Sequence, residues 1–111
     1  MIYKIFRQTE WAELGESGTT AGAPVDVSDG FIHFSTGAQV RETVSRHFAD
    51  ETGLWLAAVE AAPLGAALKW EPSRGGALFP HLYRDLALGD ILWCTPLLPG
   101  SDGWQFPEGI E

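Results

Sequence analysis

The sequence has few of the groups that tie a protein to a disulfide framework, a membrane or a nucleic acid. Cys94 is the only cysteine among 111 residues, so no internal disulfide can form. No apolar run approaches the ~20 residues that a membrane-spanning helix needs. The 7 lysines and arginines are outnumbered by 15 acidic residues, for a formal charge of -8. A large nucleic-acid surface is therefore not expected, although a small anion held by one or two local cations is compatible with this charge.

These absences predict a small protein of the cytoplasm. The segment 1–7 lacks the layout of a signal peptide, and no membrane association is expected. Cys94 lies in the apolar run 91–94, which favours a buried and inert thiol. With 111 residues the chain can bury one hydrophobic core but not two, so residues 1–111 are predicted to form a single domain.

Apolar patterning predicts an α+β fold with a largely antiparallel sheet of about six short strands and two helices. The predicted strands are 2–6, 31–34, 54–59, 68–71, 79–83 and 91–98, with a further short segment at 86–88. Thr9 is predicted to cap a short helix that runs to Leu14, and the Gly-rich segment 15–24 is predicted to be a loop. The acidic, Gly/Pro-rich tail 99–111 is expected to pack on the surface through Trp104 and Phe106.

The second helix has the clearest start in the sequence. Thr36 and Gln39 form a Thr-x-x-Gln capping box, and Val40 and Val44 recur at the spacing of a buried helix face. This helix follows the predicted strand that carries His33. The free N–H groups of its first turn would then offer an anion site close to that histidine.

Two histidines lie in short apolar segments far apart in the sequence. His33 belongs to Asp-Gly-Phe-Ile-His-Phe-Ser-Thr at 29–36, and His81 belongs to Gly-Gly-Ala-Leu-Phe-Pro-His-Leu-Tyr at 75–83. Ser35 shares a strand face with His33, and an imidazole with a nearby hydroxyl suits a ribose or a phosphate. The structural alternative is a strand histidine whose ring is hydrogen-bonded within the fold.

Glu71, Arg74, His81 and Tyr83 form a second group of candidates. Glu71 ends a strand beside an aromatic ring, where burial would raise its pKa toward the range of a general base; the alternative is a solvated carboxylate. Arg74 precedes two glycines that would let a phosphate approach the backbone; the alternative, which the turn context favours, is a solvated arginine. His81 and Tyr83 share one face of an extended strand.

A metal site is a weaker interpretation of the same residues. His33, His81 and Glu71 match a set of two histidines and a carboxylate, but no His-x-x-x-His spacing supports it, and we predict no metal ligand. The Gly-x-Gly-x-x-Gly, Gly-Lys-Ser/Thr, Cys-x-x-Cys and Gly-x-Ser-x-Gly motifs are absent.

Taken together, the Ile-Tyr-Lys-Ile strand, the Trp-Glu pair and the two histidine motifs resemble the bacterial domain-of-unknown-function family 952. That family looks related to the ADP-ribosyltransferase superfamily, which includes RNA 2′-phosphotransferases. The resemblance implies NAD as a cofactor, with His33 and Ser35 holding its ribose. Phosphotransferases place arginine beside their histidines, whereas Ile32 and Pro80 stand there in this sequence, which argues against RNA 2′-phosphotransfer.

The leading hypothesis is an enzyme or binding domain that takes an NAD-like or ADP-ribose-like nucleotide in a cleft. His33, Ser35, Arg74 and Tyr83 would bind the ligand, and Glu71 and His81 would be catalytic. Two alternatives stay open: a non-catalytic structural or protein-interaction domain, which includes a homodimer, and a metal-dependent hydrolase.

Overall fold

The chain folds as three antiparallel sheets with helices packed around them. The computed structural model describes residues 1–100 and 103–110, except for the side chain of Arg74. Its helices are α1 Gln8–Ser17, α2 Pro24–Asp29 and α3 Gly37–His47. Its strands are β1 Ile2–Phe6, β2 Thr19–Thr20, β3 Ile32–His33, β4 Ser35–Thr36, β5 Leu54–Val59, β6 Leu68–Pro72, β7 Leu78–Leu82, β8 Leu86–Ala87, β9 Ile91–Gly100 and β10 Gly103–Gln105. Short 3₁₀ helices cover Ala62–Ala67, Arg74–Gly76 and Leu88–Asp90.

The largest sheet has the strand order β10-β9-β5-β1-β4, and β5 is its central strand. Alternate residues of β5 enter two separate core clusters, with Ala57 in one and Leu56 and Ala58 in the other. The sheet is therefore covered on both faces, as the continuous apolar run 54–59 predicted. The other two sheets have the orders β3-β7-β6 and β2-β8.

The predicted capping box at the start of α3 is confirmed. The Thr36 hydroxyl accepts a hydrogen bond from the Gln39 amide at 3.2 Å, and Gln39 Oε1 accepts one from the Thr36 amide at 3.0 Å. Val40 and Val44 are fully buried against the large sheet. The cap fixes where the chain leaves β4, and so orients the segment that carries Ser35.

The sequence underestimated both strands and helices. The described residues form ten strands and three α-helices, against about six and two, because two-residue strands leave no periodic pattern to detect. Helix α1 has Arg7 rather than Thr9 at its cap position, so it begins at Gln8, and it runs on to Ser17. The predicted loop 15–24 was therefore wrong: it contains the end of α1, strand β2 and the first residue of α2.

Helix α2 was missed altogether, although its signals are present. Pro24 stands in its first turn, and Asp26 occupies the acidic position of that turn. Gly30 closes the helix with a left-handed backbone at φ 87°. This six-residue helix supplies the carboxylate on which the site is built.

In the described part of the tail, Trp104 and Phe106 lie against the core cluster of the large sheet, and Ile110 is buried in it. The tail also contains the end of β9 and strand β10, which the sequence did not predict. Cys94 is partly buried, and burial, only partly offset by a hydrogen bond from the Thr95 backbone, raises the pKa of its thiol to about 12. None of the helices in the described ranges is long and apolar enough to cross a membrane.

Candidate functional site

The two histidine segments meet as neighbouring strands. His33 of β3 and His81 of β7 are directly opposed in the antiparallel register. Their ring centroids lie 5.3 Å apart, with one ring edge-on to the other. Residues 48 positions apart in sequence therefore form a single pair, as the hypothesis of a shared site requires.

His81 is held by the carboxylate of Glu71, and that carboxylate is held in turn by the phenol of Tyr83. Its Nδ1 lies 2.8 Å from Glu71 Oε1, and the Tyr83 hydroxyl donates to the same oxygen at 2.6 Å. The pairing of β6 with β7 sets this geometry, because Glu71 lies opposite Phe79 in that register. The hydrogen bond from Tyr83 and that with His81 together lower the pKa of the Glu71 carboxyl. The predicted rise in the pKa of Glu71 was wrong, because its side chain is partly exposed and held by donors.

Phe31, which lies outside the strands, contacts the rings of both histidines and of Tyr83. Its ring stacks on His81 with centroids 4.2 Å apart, and lies 4.6 Å from His33 and 5.2 Å from Tyr83. Such ring contacts fix the orientation of both imidazoles. Phe31 precedes β3 rather than belonging to it, which shortens the predicted strand 31–34 at its start.

His33 is part of a buried ion network that the sequence did not reveal. Asp26, 1% exposed, accepts hydrogen bonds from Lys4 Nζ at 2.7 Å and from the His33 amide at 3.0 Å. The same carboxylate lies 2.6 Å from His33 Nδ1 and also accepts from the Ala23 amide. One signal was present: a lysine in the apolar strand Ile2–Phe6 needs a buried partner.

The second ring nitrogen of His33 also faces a carboxylate. Nε2 lies 3.0 Å from Asp29 Oδ2. Because the ionised Asp26 carboxylate only accepts, Nδ1 is the donor in its hydrogen bond with Asp26. Both ring nitrogens of His33 therefore face carboxylates of α2.

The network also sets the charge state of Asp26. Burial alone would raise its pKa, but the hydrogen bonds with His33 and the charge of Lys4 outweigh burial and lower it to about 2. The carboxylate therefore stays ionised through the ordinary pH range. Asp26 in this way holds both Lys4 and His33 in fixed positions.

Gly22 lies against this carboxylate and has no room for a side chain. Its φ is 100°, and a Cβ there would overlap Asp26 Oδ2. We expect Gly22→Ala to lower the free energy of unfolding by about 2–3 kcal/mol, from backbone strain and loss of the Asp26 geometry. Chemical denaturation measures this loss.

Gly15→Ala is the matched control, because Gly15 is in α1 with open space around its Cβ position. It should leave stability unchanged or raise it by up to ~1 kcal/mol. Equal stability of the two variants would contradict the close packing at Gly22.

A cavity of about 570 Å³ opens beside the histidine pair. Strand β1, helix α2, strand β4 and the side of helix α3 line it. Its lining includes Lys4, Arg7, His33, Phe34, Ser35, Thr43, His47, Phe79 and His81. This size falls within the range of small-molecule sites.

The structure brings only part of the predicted set to this cavity. His33, His81 and Ser35 line it, and the buried Ser35 hydroxyl lies 2.9 Å from that of Thr43. Glu71 and Tyr83 are outside its lining and act on it through His81. Arg74 begins a 3₁₀ turn, and its side chain lies outside the described atoms.

Helix α3 contributes its side rather than its N-terminus. Thr43 and His47 line the cavity, whereas the first-turn residues Gly37 and Ala38 do not. The predicted anion site at the start of this helix is therefore not part of the cavity. His47, to which the sequence assigned no role, is part of it.

The described side chains do not form a ligand set for a metal centre. Among the residues that the structure describes, no group of three or more histidine, cysteine or acidic side chains converges in a way that could hold an ion. The combination of His33, His81 and Glu71 fails because Glu71 approaches the far side of His81 and His33 is engaged by α2.

Fold and site together define a class: a small antiparallel α+β protein with a histidine pair across two strands, each histidine held by a carboxylate. The chain belongs to the family described as Protein of unknown function (DUF952), whose model matches residues 5–94. The resemblance of the two histidine motifs to this family is thereby confirmed. The further link to ADP-ribosyltransferases stays a proposal.

Among solved structures the chain is similar to protein CC0527 from Caulobacter crescentus. The crystal structure of that protein shares 48% identity at a TM-score of 0.89, covering 94% of this chain and 92% of that chain. Its solution NMR structure shares 48% identity at a TM-score of 0.83, covering 93% and 89%. No match was found among curated proteins.

Proposed function

We propose that the cavity beside His33 and His81 binds an NAD-like or ADP-ribose-like nucleotide. The observation that carries the proposal is the opposed pair of histidines, brought from two distant segments to one cavity wall. The resemblance to ADP-ribosyltransferases, which bind NAD ribose through an early-strand histidine, points to the same ligand.

The chemistry of the lining suits the parts of such a nucleotide. Ser35, Thr43 and His81 offer hydrogen-bonding groups to a sugar, and Phe34 and Phe79 offer apolar surface to a base. Arg7 is held by Glu10 and Glu51 through three of its N–H groups. A guanidinium has five, so further donors are present for a phosphate. The net charge of -8 does not oppose this contact, because screening limits the reach of the bulk charge to ~8–10 Å.

In the enzymatic form of this proposal the transferred group is the ADP-ribosyl unit of NAD. The bond between ribose and nicotinamide breaks, nicotinamide leaves with the bonding electron pair, and an acceptor nucleophile bonds to the ribose carbon. His81 is the catalytic candidate at the cavity, and Glu71 acts through it. Arg74 and Tyr83 stay candidates for ligand contact.

Isothermal titration calorimetry and ligand-observed NMR test the proposal. We expect ADP-ribose and NAD to bind with dissociation constants in the micromolar to millimolar range that is usual for nucleotide substrates. Nicotinamide release from NAD, followed by chromatography, tests turnover separately. No binding of either nucleotide at millimolar concentration would remove the proposal.

Arg46→Ala is the control for specificity. Arg46 lies on the exposed side of α3, paired with Glu42 and outside the cavity lining. Its replacement should leave nucleotide affinity unchanged. A loss of affinity in Arg46→Ala as large as that of a cavity variant such as His81→Phe would show that the signal comes from general charge rather than from the cavity.

The non-catalytic alternative is favoured by one observation. Both ring nitrogens of His33 face carboxylates of α2, which is the arrangement of a structural histidine. This assigns His33 a supporting role without doing the same for His81. A homodimer stays a prediction of the sequence, which light scattering would test.

A further inference from the structure

His81 differs from His33 in having a ring nitrogen without a partner. The residue is 4% exposed, and its Nε2 is the buried side-chain atom that lacks a hydrogen bond among the described residues. Leaving such an atom unpaired is costly in a folded protein, and where it persists it calls for an explanation. The opposite nitrogen, Nδ1, is fully engaged by Glu71.

The partners of Nδ1 decide which nitrogen carries the proton. Glu71 Oε1 also accepts a hydrogen bond from the Tyr83 hydroxyl, and the lowered pKa of this carboxyl makes the oxygen an acceptor toward both groups. Nδ1 must therefore carry a proton. A second proton on Nε2 would bury both a charge and an unsatisfied donor, which is the costlier state. The neutral ring then presents a bare nitrogen at Nε2, which can only accept.

The two histidines therefore differ in what their ring nitrogens meet. His33 donates from Nδ1 to Asp26, and its Nε2 lies 3.0 Å from Asp29 Oδ2. His81 is an acceptor at its one unpaired nitrogen. A phosphate or carboxylate oxygen cannot donate to that nitrogen, whereas a hydroxyl can.

We propose that His81 Nε2 accepts a hydrogen bond from a sugar hydroxyl of the ligand, and that Glu71 and Tyr83 are positioning residues that hold His81 in its Nδ1-protonated tautomer. The ligand class at this point of the cavity is a neutral, hydroxyl-bearing group such as a ribose, rather than an anion. This inference rests on the proposed function for the rest of the nucleotide, but its tautomer component does not depend on it.

Access to Nε2 requires a local side-chain movement, because the atom is shielded from solvent. Phe31 stacks on the face of the His81 ring and is not part of the cavity lining, so this contact can be kept while a ligand occupies the cavity. The ligand hydroxyl approaches Nε2 from the cavity, which His81 itself lines.

Long-range ¹H–¹⁵N correlation spectra of the full-length, ¹⁵N-labelled protein test the proposal directly. The chain has three histidines, so each ring can be assigned with single variants. We expect His81 to be protonated at Nδ1 and bare at Nε2 near neutral pH, and we expect D-ribose or ADP-ribose, but not inorganic phosphate, to shift its Nε2 signal. A protonated Nε2 in the free protein, or an Nε2 signal that neither sugar moves, overturns the proposal.

Variants then separate positioning from folding. Glu71→Gln introduces an amide that can donate to Nδ1, so we expect a mixture of His81 tautomers and an approximately tenfold loss of ADP-ribose affinity. Tyr83→Phe should act in the same direction by about threefold. Glu60→Gln, the same change at an exposed site, should alter neither. An unchanged tautomer in both site variants counts against the positioning roles.

The result also distinguishes this inference from the broader function. A shift of Nε2 with ribose but no calorimetric binding of ADP-ribose or NAD would keep the hydroxyl acceptor and remove the nucleotide. Nucleotide binding with a silent His81 would do the reverse.

Discussion

Asp26→Asn is expected to destabilise the protein by about 3–5 kcal/mol, because it removes one partner of a buried ion pair. The change keeps the shape of the side chain but removes its charge. Lys4 is then left buried without a counter-ion, and His33 loses the carboxylate at Nδ1. Chemical denaturation, with the variant and the parent compared at the same pH, measures the loss.

Asp29→Asn is the matched control, because it alters the other carboxylate at His33 with a side chain that is 45% exposed. A partly exposed ion pair contributes about 0–1 kcal/mol, so this variant should stay close to the parent. Equal losses for the two variants would contradict the dominance of the buried network.

Acid unfolding provides a second measure of the same interaction. The pKa of Asp26 is about 2 in the folded protein against an ordinary 3.8. Its stabilisation is therefore complete above about pH 4–5 and is lost as the pH falls from there toward 2. The difference in pKa corresponds to about 2–3 kcal/mol. In Asp26→Asn this part of the acid sensitivity should be missing.

His81→Phe is expected to lower ADP-ribose affinity at least tenfold while changing stability by less than about 1 kcal/mol. The substitution removes the unpaired Nε2 and keeps a ring for Phe31 to stack on. Glu71 keeps the hydrogen bond from Tyr83. Calorimetric titration and chemical denaturation of the same sample give both quantities.

His33→Ala should show the opposite pattern in stability. It leaves Asp26 with one fewer donor, so we expect a loss of about 1–3 kcal/mol. The contrast matters because a purely structural pair would be destabilised at both positions. A large stability loss in His81→Phe with unchanged nucleotide affinity would refute the assignment of His81 as the ligand-facing histidine.

The sequence predicted the frame of the site well. Strand 54–59 and the capping box at Thr36 follow from local patterns of apolar spacing and side-chain chemistry, and both are present. For His33 and His81, the sequence showed only two similar segments that could share a site, and not how the two residues pair. Their register depends on long-range strand pairing, which a local pattern does not encode.

The buried carboxylate was out of reach for a related reason. In the sequence, Asp26 is an ordinary polar residue after a Gly-rich stretch, and only the three-dimensional packing of α2 on β1 and β3 buries it. Glu71 shows the converse: its aromatic neighbour suggested burial, but Trp70 is itself exposed and Glu71 lies at a partly open strand edge. Burial depends on which elements pack together, and short segments determine that poorly.

A crystal structure of the protein with ADP-ribose is the most direct test of the central claim, that the cavity beside the histidine pair is a nucleotide site whose ligand-facing histidine is His81. We predict that the ligand lies in the cavity of about 570 Å³, with a ribose hydroxyl within hydrogen-bonding distance of His81 Nε2 and the Glu71–His81 contact preserved. A ligand bound elsewhere, or one that presents a phosphate oxygen to Nε2, would contradict the claim.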